Sequence, residues 1–485
     1  MNYLDLTIQE MHQALVEKKV TPFELTLEAI KRAKENKDNA FETILEEQAL
    51  SEAKALTEVE EDNPFWGIPV VVKDNFSTKD VLSTASSEIL KDYVPVFDAT
   101  VVKKLKDAHA IIIGKTTLDE LAMGGTGTTG HLGTTYNPYD PSHTRLVGGS
   151  SCGSATSVAA GIVPFALGSD TGDSVRKPAS YAGLVGFKPT WGRISRFGLF
   201  PFAPSLDHVG TFTRSVKDAA LALQLLAGRD EHDSTSSIEK IDDYSSLLHE
   251  SIQGKKIAVI DEILDSITDQ DIVNAFNKTL VELEKQGAII QHVSVSSSLL
   301  ESILPTYMVI SCAEATSNNA NLDGIKFGPR YEGNTYEEVM MKARTKGFSE
   351  LIKRRFVIGS FALMRENQDI LFLRAQKNRH KIVDTIQNIL KENDVIYLPA
   401  APSIAPKIND SSDRLSDEYL IADNYLAIGN FAGLPSITLP LGFKENMPFG
   451  VNLTGKAFKE AEVLQIAQKV EDITGLYNLS TRREK

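Results

Sequence analysis

The chain has 485 residues, of which 42% are hydrophobic and 24% charged, a composition typical of a folded globular protein that argues against extended disorder. With 51 Lys and Arg against 65 Asp and Glu, the net charge is −14, so we expect a partner to hold any nucleic acid that the protein serves. The sequence offers no apolar run for a membrane helix, no signal-peptide core and too few cysteines for a disulfide framework. A cytoplasmic protein without membrane contact is therefore predicted.

Helix and strand patterns alternate along most of the chain. Residues 4–60 show helical spacing of apolar residues, and Thr21, Pro22 and Glu24 form a predicted helix start with a capping box. The predicted elements that follow are strand 67–73, helix 98–108, strand 110–113, strand 257–260, helix 269–286, strand 288–293, helix 375–392 and strand 395–400. This alternation predicts an α/β fold, with a mixed twisted sheet covered by helices on both faces.

The predicted organisation is a single large domain with an N-terminal extension. Residues 1–60 are expected to pack as a helical segment on the core, and residues 61–480 to form the domain itself. The polar segment 229–255 is predicted to be a surface connection.

A block rich in glycine and serine, residues 124–195, holds the unusual residues of the chain. Its densest segments are GGTGTTGHLGTT (124–135), GGSSCGSATSVAAG (148–161) and GSDTGDSVRKPAS (168–180). Such glycine density lets backbone N–H groups point into a cavity, although flexible surface loops would have the same composition. Because the segments are interleaved with strand and helix patterns, we expect them to build a site on a rigid scaffold.

Three short motifs in or near this block match known catalytic or phosphate-binding motifs only in part. Residues 149–153 match G-x-S-x-G but follow a polar, turn-rich segment instead of a buried strand. Residues 174–177 match S-x-x-K, but the S-D-N and K-T-G elements that accompany it are missing from the sequence. Residues 114–116 end like a P-loop, but its first glycine is replaced by His109.

Two serines and one lysine remain as candidates for chemistry. Ser150 and Ser174 have glycine-rich neighbours, and a serine hydroxyl needs a base before it can act as a nucleophile. Lys73 follows three valines in a predicted strand, and burial would lower its pKa enough to make it such a base. Strand alternation places Asp74 on the opposite face. From composition alone, a strand-end lysine whose amine reaches solvent is the favoured interpretation of Lys73.

Four longer segments resemble the amidase signature family, and they cover residues 67–76, 98–124, 148–195 and 205–215. The resemblance implies a triad in which Lys73 is the base, Ser150 the bridging cis-serine and Ser174 the acylated nucleophile. It also implies that the backbone N–H groups of the loop before and at the nucleophile form the oxyanion hole (Thr171, Gly172, Asp173 and Ser174). Neither a metal nor an organic cofactor is expected in this chain.

Within the family, segments 353–363 and 421–443 and the length of the chain are most similar to glutaminase subunits of tRNA-dependent amidotransferases. That similarity implies glutamine as the substrate and ammonia as the product passed on. It also implies two partners: a kinase-like B subunit, which binds tRNA and uses ATP and magnesium, and a small C subunit. Two alternatives remain, which are a stand-alone amidase for another amide and a scaffold protein with an inactive triad.

Candidate residues for binding glutamine carry over from the same resemblance. Arg354, with Arg355 as the near alternative, suits the carboxylate because arginine can bind it bidentately. Asp423 suits the ammonium group, and Tyr307 is a candidate to line the pocket.

The chain departs from the family pattern most pointedly at Asp173, where the family has glycine. A carboxylate facing the oxyanion would oppose the transition state and favour protonated Lys73. We therefore predict that Asp173 points away from the oxyanion hole, into solvent or toward a cation such as Arg176 or Lys177. Val147 and Cys152 also replace the family's proline and glycine.

Overall fold

One mixed sheet of eleven strands runs through the described part of the chain, which is residues 2–408 and 424–482 of a computed structural model. The strands in chain order are β1 (Phe41–Ile44), β2 (Pro69–Lys73), β3 (Ile111–Thr116), β4 (Phe165–Asp170), β5 (Val185–Lys188), β6 (His208–Thr213), β7 (Lys256–Ile260), β8 (Ile289–Val293), β9 (Val395–Pro399), β10 (Ser436–Lys444) and β11 (Met447–Gly455). Their order across the sheet is β1-β3-β2-β4-β6-β5-β10-β11-β9-β7-β8.

Helices cover both faces of this sheet, which confirms the predicted fold class. They are α1 (Ile8–Val16), α2 (Pro22–Glu35), α3 (Glu46–Ala55), α4 (Thr100–Asp107), α5 (Cys152–Ala159), α6 (Arg176–Tyr181), α7 (Val216–Leu226), α8 (Asp261–Asp265), α9 (Gln270–Lys285), α10 (Ser297–Glu301), α11 (Ile303–Asn318), α12 (Tyr336–Gly347), α13 (Glu350–Leu363), α14 (Phe372–Glu392), α15 (Ile428–Phe431) and α16 (Glu460–Thr474). In the described residues, no helix combines the length and apolar character that crossing a membrane needs.

The predicted elements agree with the structure except in the N-terminal segment. Thr21 caps α2 with the expected reciprocal hydrogen bonds to Glu24, and α4, α9 and α14 lie where helices are predicted. Residues 41–44, predicted to be helical, instead form β1, which pairs antiparallel with β3. The sequence Phe-Glu-Thr-Ile favours a strand once the β3 edge is available for pairing. Segment 229–255 has neither helix nor strand, as expected of a connection, but Tyr244 and Leu248 anchor it in the core.

Strands β2, β3 and β4 position the glycine-rich loops. β2 lies between β3 and β4 and is parallel to both, so all three carboxyl ends meet at the same edge of the sheet. All residues of these strands are buried, as is typical of parallel strands covered on both faces. The loops that leave this edge therefore start from a rigid base, and Lys73 is the last residue of its central strand.

Candidate active site

Lys73 is enclosed at the end of β2 and surrounded by serine hydroxyls. Its side chain has no exposed surface, and its Nζ lies 2.8 Å from Ser150 Oγ, 2.9 Å from Ser151 Oγ and 2.8 Å from Ser169 Oγ. Burial lowers the pKa of Lys73 from 10.5 to about 7, against the opposing charge of nearby carboxylates such as Asp119. The interpretation of Lys73 as a lysine that reaches solvent is therefore wrong.

The hydrogen bonds around Lys73 suit the neutral form of its amine. Ser151 Oγ donates to the carbonyl oxygen of Ser169 (3.1 Å), so it accepts from Lys73. Ser169 Oγ already accepts from Asn75 Nδ2 (2.9 Å), and it can accept a second hydrogen bond from Lys73. A neutral amine has two N–H groups and one lone pair. Lys73 Nζ donates to Ser150 Oγ when the amine is protonated, and in the neutral form, with both N–H groups used as above, its lone pair would face the Ser150 hydroxyl at the same 2.8 Å.

A glycine and an aspartate hold Ser150 in place. The peptide bond between Gly149 and Ser150 is cis, and a Cβ on Gly149 would lie 1.9 Å from Asp119 Oδ2. The Asp119 carboxylate accepts hydrogen bonds from the N–H of Gly127 (2.9 Å) and the hydroxyl of Thr129 (2.8 Å). The Asp119 N–H in turn donates to the carbonyl oxygen of Ser150 (3.1 Å). Asp119 thus fixes the loop 126–129 and the Ser150 backbone together, and only glycine fits at position 149.

Ser174 lies in the loop between β4 and α6, next to the Ser150 segment. Its carbonyl oxygen accepts a hydrogen bond from the N–H of Ser151 (3.3 Å), which joins the two segments. The side chain is nearly buried, and no described residue forms a hydrogen bond with Ser174 Oγ. The structure therefore brings Lys73 and Ser150 into direct contact and sets Ser174 one segment away.

The loop from Thr171 to Ser174 is held by buried charges. Arg176 donates to the Asp170 carboxylate at 2.9 and 3.1 Å and to the carbonyl oxygen of Gly172 at 2.7 Å. Although burial opposes it, the Arg176 charge holds the pKa of Asp170 well below its usual range. Among the described residues, none accepts a hydrogen bond from the N–H groups of residues 171–174. These four donors remain available for an anion.

Tyr307 of α11 packs on this loop, and Arg355 of the neighbouring helix α13 acts on Tyr307 through its charge. The Tyr307 ring packs on Gly172, where a Cβ would lie 3.1 Å from the ring and 3.2 Å from its hydroxyl. Burial raises the pKa of Tyr307 well above its usual value, while the charge of Arg355 acts against that increase. The Arg355 side chain is 1% exposed, and its Nη1 contacts Met308 Sδ at 3.7 Å. The Tyr307 phenol thus contacts the Ser174 loop, and the buried Arg355 guanidinium acts on that phenol through its charge.

The residues predicted to bind substrate differ in how close they lie to the loop 171–174. Tyr307 lies at the loop, and Arg355 contributes to the electrostatics of Tyr307, whereas Arg354 is half-buried on α13. Asp423 lies outside the described residues. Within those residues, no group of three or more His, Cys, Asp or Glu side chains is arranged to hold a metal ion.

Asp173 lies beside Lys177, one of the two cations predicted as its partner. Its Oδ2 lies 2.8 Å from Lys177 Nζ, whereas Arg176 is engaged with Asp170. The pair is withdrawn from water, since the two side chains are only 5% and 7% exposed. The Asp173 carboxylate therefore pairs with Lys177 and does not point into solvent.

Three residues around Lys73 are absent from the sequence-based candidates: Ser151, Ser169 and Asn75. Asn75 lies two residues after Lys73, in the turn that follows β2, so strand alternation does not predict the direction of its side chain. Ser169 lies at the carboxyl end of β4, beside Lys73 once the two strands pair in parallel. That pairing is a tertiary contact, and the sequence pattern alone carries no signal for it.

Comparison with known proteins identifies the family to which the chain belongs. The family model described as Amidase matches residues 24–464. The chain is 40% identical to the A subunit of glutamyl-tRNA(Gln) amidotransferase from Pediococcus pentosaceus over 99% of this chain and 98% of that protein. It is 41% identical to the protein of the same name from Streptococcus sanguinis over 98% and 97% of the two chains. The crystal structure of the corresponding A subunit from Thermotoga maritima superposes with a TM-score of 0.81 at 38% identity, covering 100% of this chain and 97% of that one.

Proposed function

The chain belongs to the amidase family, and we propose that it is the glutaminase subunit of a tRNA-dependent amidotransferase. In this function it hydrolyses glutamine and supplies the ammonia that converts Glu-tRNA(Gln) to Gln-tRNA(Gln). Relatives named as the A subunit of glutamyl-tRNA(Gln) amidotransferase match the chain over nearly its whole length. The observation that carries the chemistry is the buried amine of Lys73, with a pKa of about 7, at 2.8 Å from Ser150 Oγ.

The proposed reaction is acyl transfer through Ser174. Neutral Lys73 takes the proton of Ser150, and Ser150 takes that of Ser174, whose Oγ attacks the side-chain amide carbon of glutamine. The N–H groups of residues 171–174 stabilise the resulting oxyanion. The C–N bond then breaks, the relayed proton goes to the leaving nitrogen, and ammonia departs. Water attacks the acyl group on Ser174 by the same relay and releases glutamate.

The lowered pKa is what makes Lys73 effective near neutral pH. A lysine with an ordinary pKa of 10.5 is neutral in roughly one molecule in three thousand at pH 7, whereas Lys73 is neutral in about half. The gain in active base is about three orders of magnitude. Because only the neutral amine of Lys73 accepts a proton, the burial of this side chain contributes to catalysis.

Arg355 is the residue that we propose for the carboxylate of glutamine, in preference to Arg354. A buried guanidinium needs an anion, and no described residue forms an ion pair with Arg355. Its Nε is buried and has no hydrogen-bond acceptor among the described residues. Glutamine would supply that acceptor with its carboxylate and reach Ser174 with its side-chain amide. Tyr307, which packs on Gly172 and is affected by the Arg355 charge, would line the pocket.

The partners in this proposal are a kinase-like B subunit, which binds tRNA and uses ATP and magnesium, and a small C subunit. The net charge of −14 agrees with tRNA being held by the partner instead of by this chain. The glutaminase step itself uses side chains and backbone groups of this chain alone, without a cofactor.

The proposal is tested on the complex recovered from native extract by pull-down. We expect glutamate formation from glutamine that increases when Glu-tRNA(Gln) is added, and covalent labelling of Ser174 by a fluorophosphonate probe. Ser174→Ala and Lys73→Arg should each lower the hydrolysis rate by at least about a thousandfold, because arginine cannot be deprotonated and alanine has no nucleophile. Ser51→Ala, on the exposed face of α3, is the matched control and should keep full activity.

Two other outcomes would contradict the proposal. Hydrolysis that needs neither tRNA nor partners would indicate a stand-alone amidase. No labelling of Ser174 together with no hydrolysis would indicate a scaffold with an inactive triad.

A further inference from the structure

Glu120 is a buried carboxylate that the proposed mechanism does not use. It is 3% exposed, and its carboxylate accepts hydrogen bonds from the Ser87 hydroxyl (2.5 Å) and from the N–H of Ser349 (3.2 Å). Among the described residues, no lysine, arginine or histidine forms an ion pair with it. Burying a carboxylate without a cation costs free energy, so stability alone is a weak reason for a glutamate at this position.

On one side, Glu120 belongs to the segment that holds the proposed bridging serine. It follows Asp119, whose N–H donates to the carbonyl oxygen of Ser150 (3.1 Å). The next two residues, Leu121 and Ala122, have φ of 52° and 61°. Left-handed backbone is unfavourable for residues other than glycine unless the surrounding structure holds it. The segment 119–122 therefore depends on contacts from outside it, and the hydrogen bonds of Glu120 are among these contacts.

On the other side, Glu120 is hydrogen-bonded to the start of α13, the helix that carries Arg355. Ser349 is the N-cap of α13, and Arg355 follows it at a distance of about 9 Å along the helix axis. The Arg355 guanidinium lies 5.9 Å from the centre of the Phe202 ring, and that ring packs edge-on against the Tyr307 ring at 6.5 Å. Tyr307 contacts the loop that precedes the nucleophile. The position of Arg355 relative to this loop therefore depends on how the start of α13 is anchored.

Two consecutive residues thus fix two parts of the proposed site. Asp119 holds the Ser150 segment, and Glu120 holds the helix of the group proposed for the substrate carboxylate. Glutamine has its side-chain amide and its carboxylate at opposite ends of one short chain. Both ends can bind together only if these two parts of the site are a set distance apart.

We propose that Glu120 is a positioning residue, which acts through the start of α13 to place Arg355 at the distance from the catalytic serines that glutamine spans. The inference rests on the proposed glutaminase function and gives Glu120 a part in substrate selection, with no part in proton transfer. In Glu120→Gln, the amide oxygen can accept from the Ser349 N–H while the NH2 group donates to the Ser87 hydroxyl. That variant should therefore keep the function, whereas Glu120→Ala should lose it.

The test compares glutamine with 4-aminobutyramide, which is glutamine without its carboxylate, as substrates of the recovered complex. Glu120→Ala should raise KM for glutamine by at least about tenfold and change kcat by less than about threefold, because Arg355 is displaced from the carboxylate. For 4-aminobutyramide kcat/KM should change by less than about threefold, since this amide has no carboxylate for Arg355. Glu120→Gln should keep KM for glutamine within about threefold of wild type. Glu350→Gln is the matched control, because Glu350 lies at the same end of α13 but is exposed and pairs with Lys353.

A double-mutant cycle with Arg355→Met is a second measurement, and it decides the question if 4-aminobutyramide is hydrolysed too slowly to measure. If Glu120 acts through Arg355, Glu120→Ala should lower kcat/KM for glutamine by less than about threefold in the Arg355→Met background. The same loss in both backgrounds would overturn the inference.

Equal losses for the two amides would also overturn it, because they would show that Glu120 only maintains the fold of segment 119–122. So would an unchanged KM for glutamine in Glu120→Ala. Should Glu120→Ala fail to fold, as judged by thermal unfolding, Ser349→Pro is the second variant and the same selective loss is expected. The φ of −65° at Ser349 already suits proline, which removes the N–H that donates to Glu120. A wild-type complex that does not hydrolyse glutamine would refute the proposed function itself, whereas the other outcomes refute only this inference.

Discussion

Two buried lysines on neighbouring strands show how the surroundings of a residue decide its chemistry. Lys115 Nζ lies 3.2 Å from the Asp74 carboxylate, and neither side chain has exposed surface. Lys73 lies next to Asp74 but on the other face of β2, and its hydrogen bonds to described residues go only to hydroxyl and carbonyl oxygens. A carboxylate partner favours the charged form of an amine, and neutral hydroxyls compensate burial far less. Lys73 is therefore suited to act as a base, whereas Lys115 forms a structural ion pair with Asp74.

The pH dependence of hydrolysis should report the titration of Lys73. Since its pKa is about 7, the active neutral form is lost as pH falls, and kcat/KM for glutamine should rise with pH around a midpoint near 7. Initial rates measured from about pH 5.5 to about 8.5 would give that midpoint. Glutaramate, which is the same amide as glutamine without the α-amino group, should give the same midpoint, because it has no amine that could titrate instead. A flat profile for both amides would contradict the assignment of Lys73 as the base.

Sequence alone predicted part of this site. Alternation along β2 separated Lys73 from Asp74, and the structure confirms that separation. The burial of Lys73 could not be derived from composition, because it depends on the Ser150, Ser151 and Ser169 segments closing over the end of the strand. The roles of Lys73, Ser150 and Ser174 came from family resemblance and stay predictions until the variants are assayed.

At the scale of elements, the loop between β4 and α6 is fixed from both ends by one arginine. Arg176 binds Asp170 at the end of β4 and also donates to the carbonyl oxygen of Leu426 (2.7 Å) and to Asn430 Oδ1 (2.6 Å). It thereby connects the loop to a segment 250 residues further along the chain. The free N–H groups of the loop keep their direction because the carbonyl side of the loop is bound in this way.

Arg176→Met should therefore be among the more destabilising single changes in the chain. Arg176 has no exposed surface, and its loss leaves Asp170 buried without its cation, which typically costs about 3–5 kcal/mol. Urea unfolding would measure the loss, and Arg365→Met, on the exposed surface after α13, is the control. Adding Asp170→Asn to Arg176→Met should recover part of the stability. A loss below about 1 kcal/mol would show that the pair is not what fixes the loop.

The elements that sequence analysis missed are those whose identity depends on pairing. β1 has only four residues, and its strand character follows from its contact with β3. The β10–β11 hairpin is long, but its turn is formed by Glu445 and Asn446, both with positive φ (53° and 63°), instead of by the glycine-containing pair that marks such turns. By contrast, α2 was predictable because Thr21 and Glu24 make its capping box locally.

At the scale of the whole molecule, two buried carboxylates join helices from the beginning, middle and end of the chain. Asp218 on α7 accepts hydrogen bonds from the N–H of Ile8 at the start of α1 (3.2 Å). Glu471 on α16 accepts from the N–H of Val216 at the start of α7 (2.8 Å). Burial raises the pKa of Asp218 to about 6 and that of Glu471 to about 8. The junction of the three helices is therefore sensitive to pH.

Glu471 should make the protein less stable as pH rises from about 4.5 to about 8. Its pKa is raised from 4.5 to about 8 on folding, so the folded chain holds a proton in this range that the unfolded chain has released. Its stabilising contribution is complete below the unfolded pKa and is lost as pH rises through the folded one. Glu471→Gln is neutral in both states and should reduce the decrease in unfolding free energy over this range by a few kcal/mol. Urea midpoints at about pH 5, 7 and 9 would measure this change, with Glu462→Gln on the same helix as the control. If wild type and Glu471→Gln lost stability in parallel, the proton would not reside on Glu471, and the pH sensitivity of this junction would have to come from Asp218.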